Sequence, residues 1–163
     1  MKPEFVNREL WLATTCCIVA VALSTFVSQA YAEAPGAEPA IAKVADDAGL
    51  QWGGCPDFLP AGCAIAVLHG DPSKPNVDIF FKVPAKSEIP LHTHTSAERM
   101  VLVAGELQVT YEGQAAARLT PGTYAYGPAG RSHSAACVSD VPCILFIAFE
   151  SPLDAVPSGV AGT

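Results

Sequence analysis

Four side chains of this sequence could meet at one ion: His92, His94, Glu98 and His133. In an extended segment, residues two apart project to the same face, so His92 and His94 can offer two imidazole nitrogens to a single metal. Glu98 keeps their parity, and a bend at Thr95-Ser96 returns its carboxylate to the same point. His133 supplies a third imidazole from another strand. Three nitrogens and one oxygen suit one divalent first-row transition ion, Mn, Fe, Ni, Cu or Zn; they are too rich in imidazole for Ca or Mg and leave one or two positions open to water or substrate. An open position beside a carboxylate permits catalysis, with Glu98 as the group that shuttles protons. The remaining histidine, His69 beside Gly70, is read as structural packing.

Such a set needs a framework that holds several short segments in register. From Cys63 onward the chain provides short apolar or alternating runs, Ala64 to Leu68, Val77 to Val83, Arg99 to Ala104, Leu107 to Tyr111, Gly122 to Tyr126 and Cys143 to Phe149. Turn signals such as Gly70-Asp71-Pro72, Gly105-Glu106, Glu112-Gly113 and Pro121-Gly122 separate them. The pattern predicts an all-β sandwich or barrel with no long amphipathic helix. Met100 and Leu102 share the parity of Glu98, and Tyr124, Tyr126, Phe80 or Phe146 are candidates to line a cavity. Tyr126 or Arg131 is the candidate polar group near the open position, and Arg99 faces away from Glu98.

The spacing of these residues with particular glycines resembles the two cupin motifs. The first motif, Gly, five residues, His-x-His, three or four residues, Glu, six residues, Gly, is met by His92-Thr93-His94, Glu98 and Gly105, with Lys86 in place of the leading glycine. The second, Gly, five residues, Pro-x-Gly, two residues, His, three residues, Asn, is met by Gly122, Pro128, Gly130 and His133, with Cys137 in place of the asparagine. The resemblance implies a double-stranded β-helix, a small jelly roll, over residues 60 to 152 with the metal inside. A lysine pays to adopt the positive φ that a turn glycine takes freely, so the backbone path into the first motif can differ at Lys86. Similar cupins include dioxygenases, oxalate-degrading enzymes, lyases and isomerases. The expectation is therefore a metal-dependent oxidoreductase or lyase acting on a small oxygen-bearing organic compound. The alternative is a non-catalytic, metal-dependent module that binds or senses a small molecule.

Of the 163 residues, 50% are hydrophobic and 15% charged, with 9 basic against 16 acidic side chains and a net charge of −7. No basic cluster could neutralise phosphates, which excludes nucleic acid as the expected partner. Lys2 and Arg8 precede an uncharged stretch from Leu10 to Val27 that ends at Ala30-Tyr31-Ala32, the pattern of a signal peptide over residues 1–32. A membrane anchor is the alternative reading of that stretch; after cleavage no stable anchor is expected, and the mature chain is exported to the periplasm or outside the cell. Residues 33–59 read as an amino-terminal arm and 153–163 as a loose tail. The mature chain keeps Cys55, Cys63, Cys137 and Cys143, and proximity in sequence favours Cys55 with Cys63 and Cys137 with Cys143 in an oxidising compartment. A free Cys137 thiol beside the metal is the alternative. The oligomeric state is left open, a homodimer included.

Overall fold

In the computed structural model, residues 38–159 are described; the expected signal peptide and the final four residues, 160–163, lie outside them. The chain divides into two units, residues 1–40 and 41–163, and among the described residues every strand belongs to the second. Period-2 alternation interrupted by Gly and Pro turns yields β1 (Trp52–Gly54), β2 (Ala64–His69), β3 (Val77–Val83), β4 (Glu88–Thr93), β5 (Glu98–Ala104), β6 (Leu107–Tyr111), β7 (Ala117–Leu119), β8 (Tyr124–Gly127), β9 (His133–Cys137), β10 (Cys143–Phe149) and β11 (Val156–Pro157).

The strands form two sheets, β1-β2-β3-β10-β5-β8 and β11-β4-β9-β6-β7, and each pair of neighbours within them runs antiparallel. Sequential neighbours such as β4 and β5 lie in different sheets, which is the all-β jelly roll that the cupin motifs imply. The inner faces are apolar. Val77, Ile79 and Val83 of β3 meet Leu145, Ile147 and Phe149 of β10, Met100 and Leu102 of β5, and Leu107 and Val109 of β6 in one core. The outer face of β3 carries Phe80 and Lys82, and the Lys82 ammonium lies 3.9 Å above the Trp52 ring, tying β1 to the sheet.

Three local expectations change. The arm over 33–59 gives way to structure by residue 52, because β1 pairs with β2 and Leu59 enters the core. The tail over 153–163 is not loose at its start: Leu153 packs on the core, and β11 pairs Val156 with Thr93 and Pro157 with His92. No periodicity marked these pieces, since each is too short to show one. The backbone at Lys86 does not deviate from a glycine-like path; it takes a φ of 55°, and its ammonium reaches the Val138 carbonyl at 2.7 Å and Asp140 Oδ1 at 3.1 Å. The polar contacts offset part of the cost of a left-handed lysine. At Gly105, φ is 79° and a Cβ would stand 2.8 Å from the Pro142 carbonyl oxygen, so the β5–β6 turn requires glycine for both conformation and space.

Both expected disulfides are present, Cys55–Cys63 and Cys137–Cys143, each with its Cα atoms 5.7 Å apart. Cys137 is thus half of a bridge and not a free thiol; its bond to Cys143 links the end of β9 to the start of β10. The loop it closes spans a sequence separation of 6, and both sulfurs are buried. Loop-closure entropy gives such a bridge about 2 kcal/mol. Replacing both Cys137 and Cys143 by alanine should lower the unfolding free energy by about that amount in urea titration, and an unchanged midpoint would show that the bridge restrains nothing in the unfolded chain.

Candidate metal centre

The centre forms where the two sheets face one another. His92 sits on β4 and His133 on β9, directly paired across the ladder. The register between β4 and β9 shifts between Ile89 and His92, where Pro90 lacks an amide to donate. This bulge lets Ile89 and His92, three residues apart, both point inward, at 5% exposure each. His94 stands beyond the end of β4, at the corner where the chain crosses to the other sheet, and Glu98 opens β5 in that second sheet. The bend at Thr95-Ser96 is therefore a crossing between sheets and not a kink within one strand. Ser96, buried at 2% exposure, anchors it by accepting from the amides of Glu150 at 2.8 Å and Ser151 at 3.1 Å.

The three imidazoles each offer one nitrogen, all within 4.8 Å of one another. Each ring donates Nδ1–H to a backbone carbonyl: His92 to Pro90 at 2.7 Å, His133 to Arg131 at 3.2 Å, and His94 to Asp154 in a short bond. A carbonyl can only accept, so in a neutral ring Nε2 bears the lone pair. Glu98 Oε1 lies 3.2 Å from His94 Nε2 and Oε2 lies 3.3 Å from His133 Nε2. With Glu98 ionised these are lone pairs facing lone pairs, and the single proton of its neutral form can serve at most one of them; buried His94 Nε2 has no hydrogen-bond partner. Such an arrangement is costly unless a cation stands among the atoms. The cluster can bind a divalent transition metal, and its donors fit one. Aromatic neighbours fix the ring planes: Phe58 lies 6.0 Å from His92, Phe149 5.5 Å from His94 and Tyr111 4.8 Å from His133, between centroids.

Burial sets the protonation states. Desolvation lowers His92 and takes His94 and His133 down to about 4, so these rings are neutral at ordinary pH. Burial, with Asp154 adding to it, pushes Glu98 up to about 8. Burial also raises Tyr111, and the Glu98 carboxylate raises it further.

Met100 lines a cavity of about 220 Å³ beside the histidines, together with Ile79, Ile89, Ile147 and Phe149. Other expected wall residues lie elsewhere. Leu102 packs in the core but not on the cavity, and Tyr124 and Tyr126 are 59% and 51% exposed because β8 turns Ala125 and Gly127 inward. Phe80 and Phe146 fall on the opposite parity from Ile79, Phe81, Leu145 and Ile147, which face the cavity. Arg131 contributes its carbonyl to His133 while the residue itself is exposed, so neither it nor Tyr126 is the polar group at the site. Arg99 pairs with Glu150 on the outside, and His69 is exposed at the end of β2.

Two residues at the site went unread in the sequence. Asp154 lines the cavity, gives its carbonyl to His94 and accepts from the Thr95 amide at 2.9 Å; it belongs to the segment taken for a loose tail. Tyr111 is buried with no hydrogen-bond partner for its hydroxyl, and the alternation Leu107, Val109, Tyr111 was the available signal. Gly127 pairs with Glu98 across the β5–β8 ladder, and a Cβ there would overlap the Tyr111 hydroxyl and stand 3.0 Å from Glu98 Oε2.

Two predictions follow from this packing and titration. Gly127→Ala should cost about 1 to 3 kcal/mol by overpacking, and adding Tyr111→Phe should restore part of it, because the overlapping hydroxyl is gone; equal losses in the single and double variants would deny the contact. In the ion-free protein, Glu98 stays protonated in the fold up to about 8 against an ordinary 4.5, so its contribution falls as pH rises through that window. His94 and His133, lowered from 6.5 to about 4, lose their contribution as pH falls through theirs. Ion-free stability should therefore peak near the upper end of the histidine window, and zinc uptake at pH 7 should release about one proton, from Glu98. Calorimetry in buffers of different ionisation enthalpy reads that proton, and Glu98→Gln should release none.

A family model described as the ChrR cupin-like domain matches residues 42–152. No curated protein matches the chain. Among solved structures, the DMSP lyase DddQ of Ruegeria pomeroyi DSS-3 is 25% identical, with 70% of this chain and 64% of that chain covered at a TM-score of 0.58. A structure described for the DMSP lyases RdDddP and RnDddQII is 18% identical, with 68% and 63% covered at a TM-score of 0.58. An RmlC-like cupin of Shewanella frigidimarina NCIMB 400 is 21% identical, with 64% and 86% covered at a TM-score of 0.53. This chain thus spans under two thirds of either lyase structure, and the two lower identities establish the fold alone.

Proposed function

We propose, from the premise that the chain belongs to the ChrR cupin-like domain family, that it is a metalloenzyme transforming a small oxygen-bearing organic compound by lyase-type chemistry. Decarboxylation and oxidation are the alternatives on the same site. The observation that carries this reading is the convergence of three imidazole lone pairs with Glu98 beside an apolar cavity. The likeness to a DMSP lyase at 25% identity supports lyase chemistry over the alternatives.

His92, His94 and His133 would hold one divalent first-row ion through Nε2, and Glu98 through a carboxylate oxygen. Once bound, the ion supplies Lewis acidity and an open coordination position. The chain's own contribution is orientation and proton transfer. The carbonyls of Pro90, Asp154 and Arg131 keep each ring in the tautomer that faces inward. Apolar walls keep bulk water from the reacting compound and strengthen every charge interaction there. The Glu98 carboxylate oxygen left free by the ion would take a proton from the compound as its leaving group departs, the base that an elimination needs.

A non-catalytic binding module is the second reading, and the scarcity of polar groups favours it: among the described residues, only Asp154 joins the three histidines and Glu98 on the lining. Export belongs to the proposal as well. The pattern of residues 1–32 and the two disulfides support an oxidising compartment.

The test loads the protein separately with Mn, Fe, Co, Ni, Cu and Zn and screens small carboxylates, diketones and phenols by mass spectrometry and oxygen uptake. His94→Ala should lose most of the metal. Glu98→Gln should retain part of it yet lose about a hundredfold or more in turnover, since an amide cannot take the proton. Binding without product across the whole matrix, in the unsubstituted chain, would reject the enzyme in favour of the binding module.

A further inference from the structure

The cavity's walls restrict what can sit beside the metal centre. Its volume of about 220 Å³ equals that of roughly seven molecules of liquid water. Ile65, Ile79, Met100, Leu145, Ile147 and Leu153 supply much of the surface, and no Lys, Arg, Ser, Thr, Asn, Gln, Tyr or Trp is among the described residues that line it. The polar lining is the three histidines, Glu98 and Asp154. Apart from the metal centre, Asp154 is therefore the polar side chain a ligand can reach, and its carboxylate, 29% exposed, already accepts from the Thr95 amide.

Charge and hydrogen bonding then select the ligand class. A divalent ion offers its open position to a single ligand carboxylate, while the Glu98 and Asp154 carboxylates on the same lining already match its two charges, Asp154 from a partly exposed position. A second anionic group would meet no cation and would be buried unpaired. Hydroxyl groups along a sugar or polyol would lose their water partners and find only hydrocarbon. A terminal ammonium would find only the part-engaged Asp154. An unbranched alkyl chain, by contrast, gains from each methylene it buries.

Resting on the metal-centre reading above, we infer that the cavity selects a short aliphatic monocarboxylate, with roughly four to seven carbons, its carboxylate at the metal centre and its chain against the aliphatic walls. Selection is by burial of the chain and by the lack, among the described residues that line the cavity, of any partner for a second polar end beyond the part-engaged Asp154.

The experiment uses the full chain loaded with zinc, the bound zinc being counted by elemental analysis before any titration. Calorimetric titration with acetate, butanoate, hexanoate and octanoate should show affinity rising by about fourfold per methylene and levelling once the cavity is full. Adipate and 6-aminohexanoate, which match hexanoate in length, should bind at least about tenfold more weakly. Ala135→Leu narrows the lining and should move the plateau to a shorter chain; the ligand series on the unsubstituted protein decides the matter where that variant does not fold. Affinity independent of chain length, or adipate or 6-aminohexanoate binding as tightly as hexanoate, overturns this inference while leaving the metal centre intact. A chain that takes up no zinc overturns both.

Discussion

The three bonds from imidazole Nδ1 to backbone carbonyls are the constraint on which the site depends. Because a carbonyl cannot donate, each bond sets the tautomer of its ring and turns an Nε2 lone pair toward the others. Without them, buried imidazoles could satisfy one another in pairs, one donating and one accepting, and no cation would be needed. With them, the centre is an excess of acceptors inside hydrocarbon, because Glu98, ionised or carrying one proton, leaves at least two of the three imidazole lone pairs without a donor. The cation requirement is therefore built into the main chain as much as into the side chains.

That dependence explains why remote parts of the fold matter to the site. The Pro90 carbonyl is aimed by the β4 bulge, the Arg131 carbonyl by the turn that enters β9, and the Asp154 carbonyl by the chain that leaves β10 and pairs as β11. The crossing at Thr95-Ser96, held by Ser96 to the amides of Glu150 and Ser151, brings the second sheet's Glu98 to the first sheet's histidines. Gly127 leaves the space in which Glu98 and the Tyr111 hydroxyl stand side by side. Removing water from such a centre makes its charges act strongly on a bound compound, and the same dryness limits which compound can enter.

Much of this was legible in the sequence. The alternation of β3, β5, β6 and β10 follows from period-2 burial and needs no tertiary information, and the turn residues between them mark an all-β chain. The residue types His92, His94, Glu98 and His133, at their spacing with Gly105, Gly122, Pro128 and Gly130, carried both the resemblance to cupins and the class of metal. The disulfide pairs were legible because short loops in sequence are short in space.

Other features were decided only by the tertiary structure, because they depend on which strand lies beside which. Parity placed Glu98 on the face of His92, but the two stand on different sheets, and the bulge at Pro90 resets the alternation that parity assumes. Alternation tells which residues share a face and not which face meets the cavity, so Phe80, Phe146, Tyr124 and Tyr126 were candidates where Phe81, Leu145 and Phe149 are the walls. Segments too short to show a period, β1 and β11, gain order from pairing alone, and with β11 comes Asp154, whose carbonyl holds His94 across a sequence separation of 60. The sequence by itself determined the chemistry of the ligands, because residue type and spacing encode donors. The tertiary structure decided their tautomers, their neighbours and the shape of the cavity, because main-chain carbonyls are the same at every residue until the fold aims them.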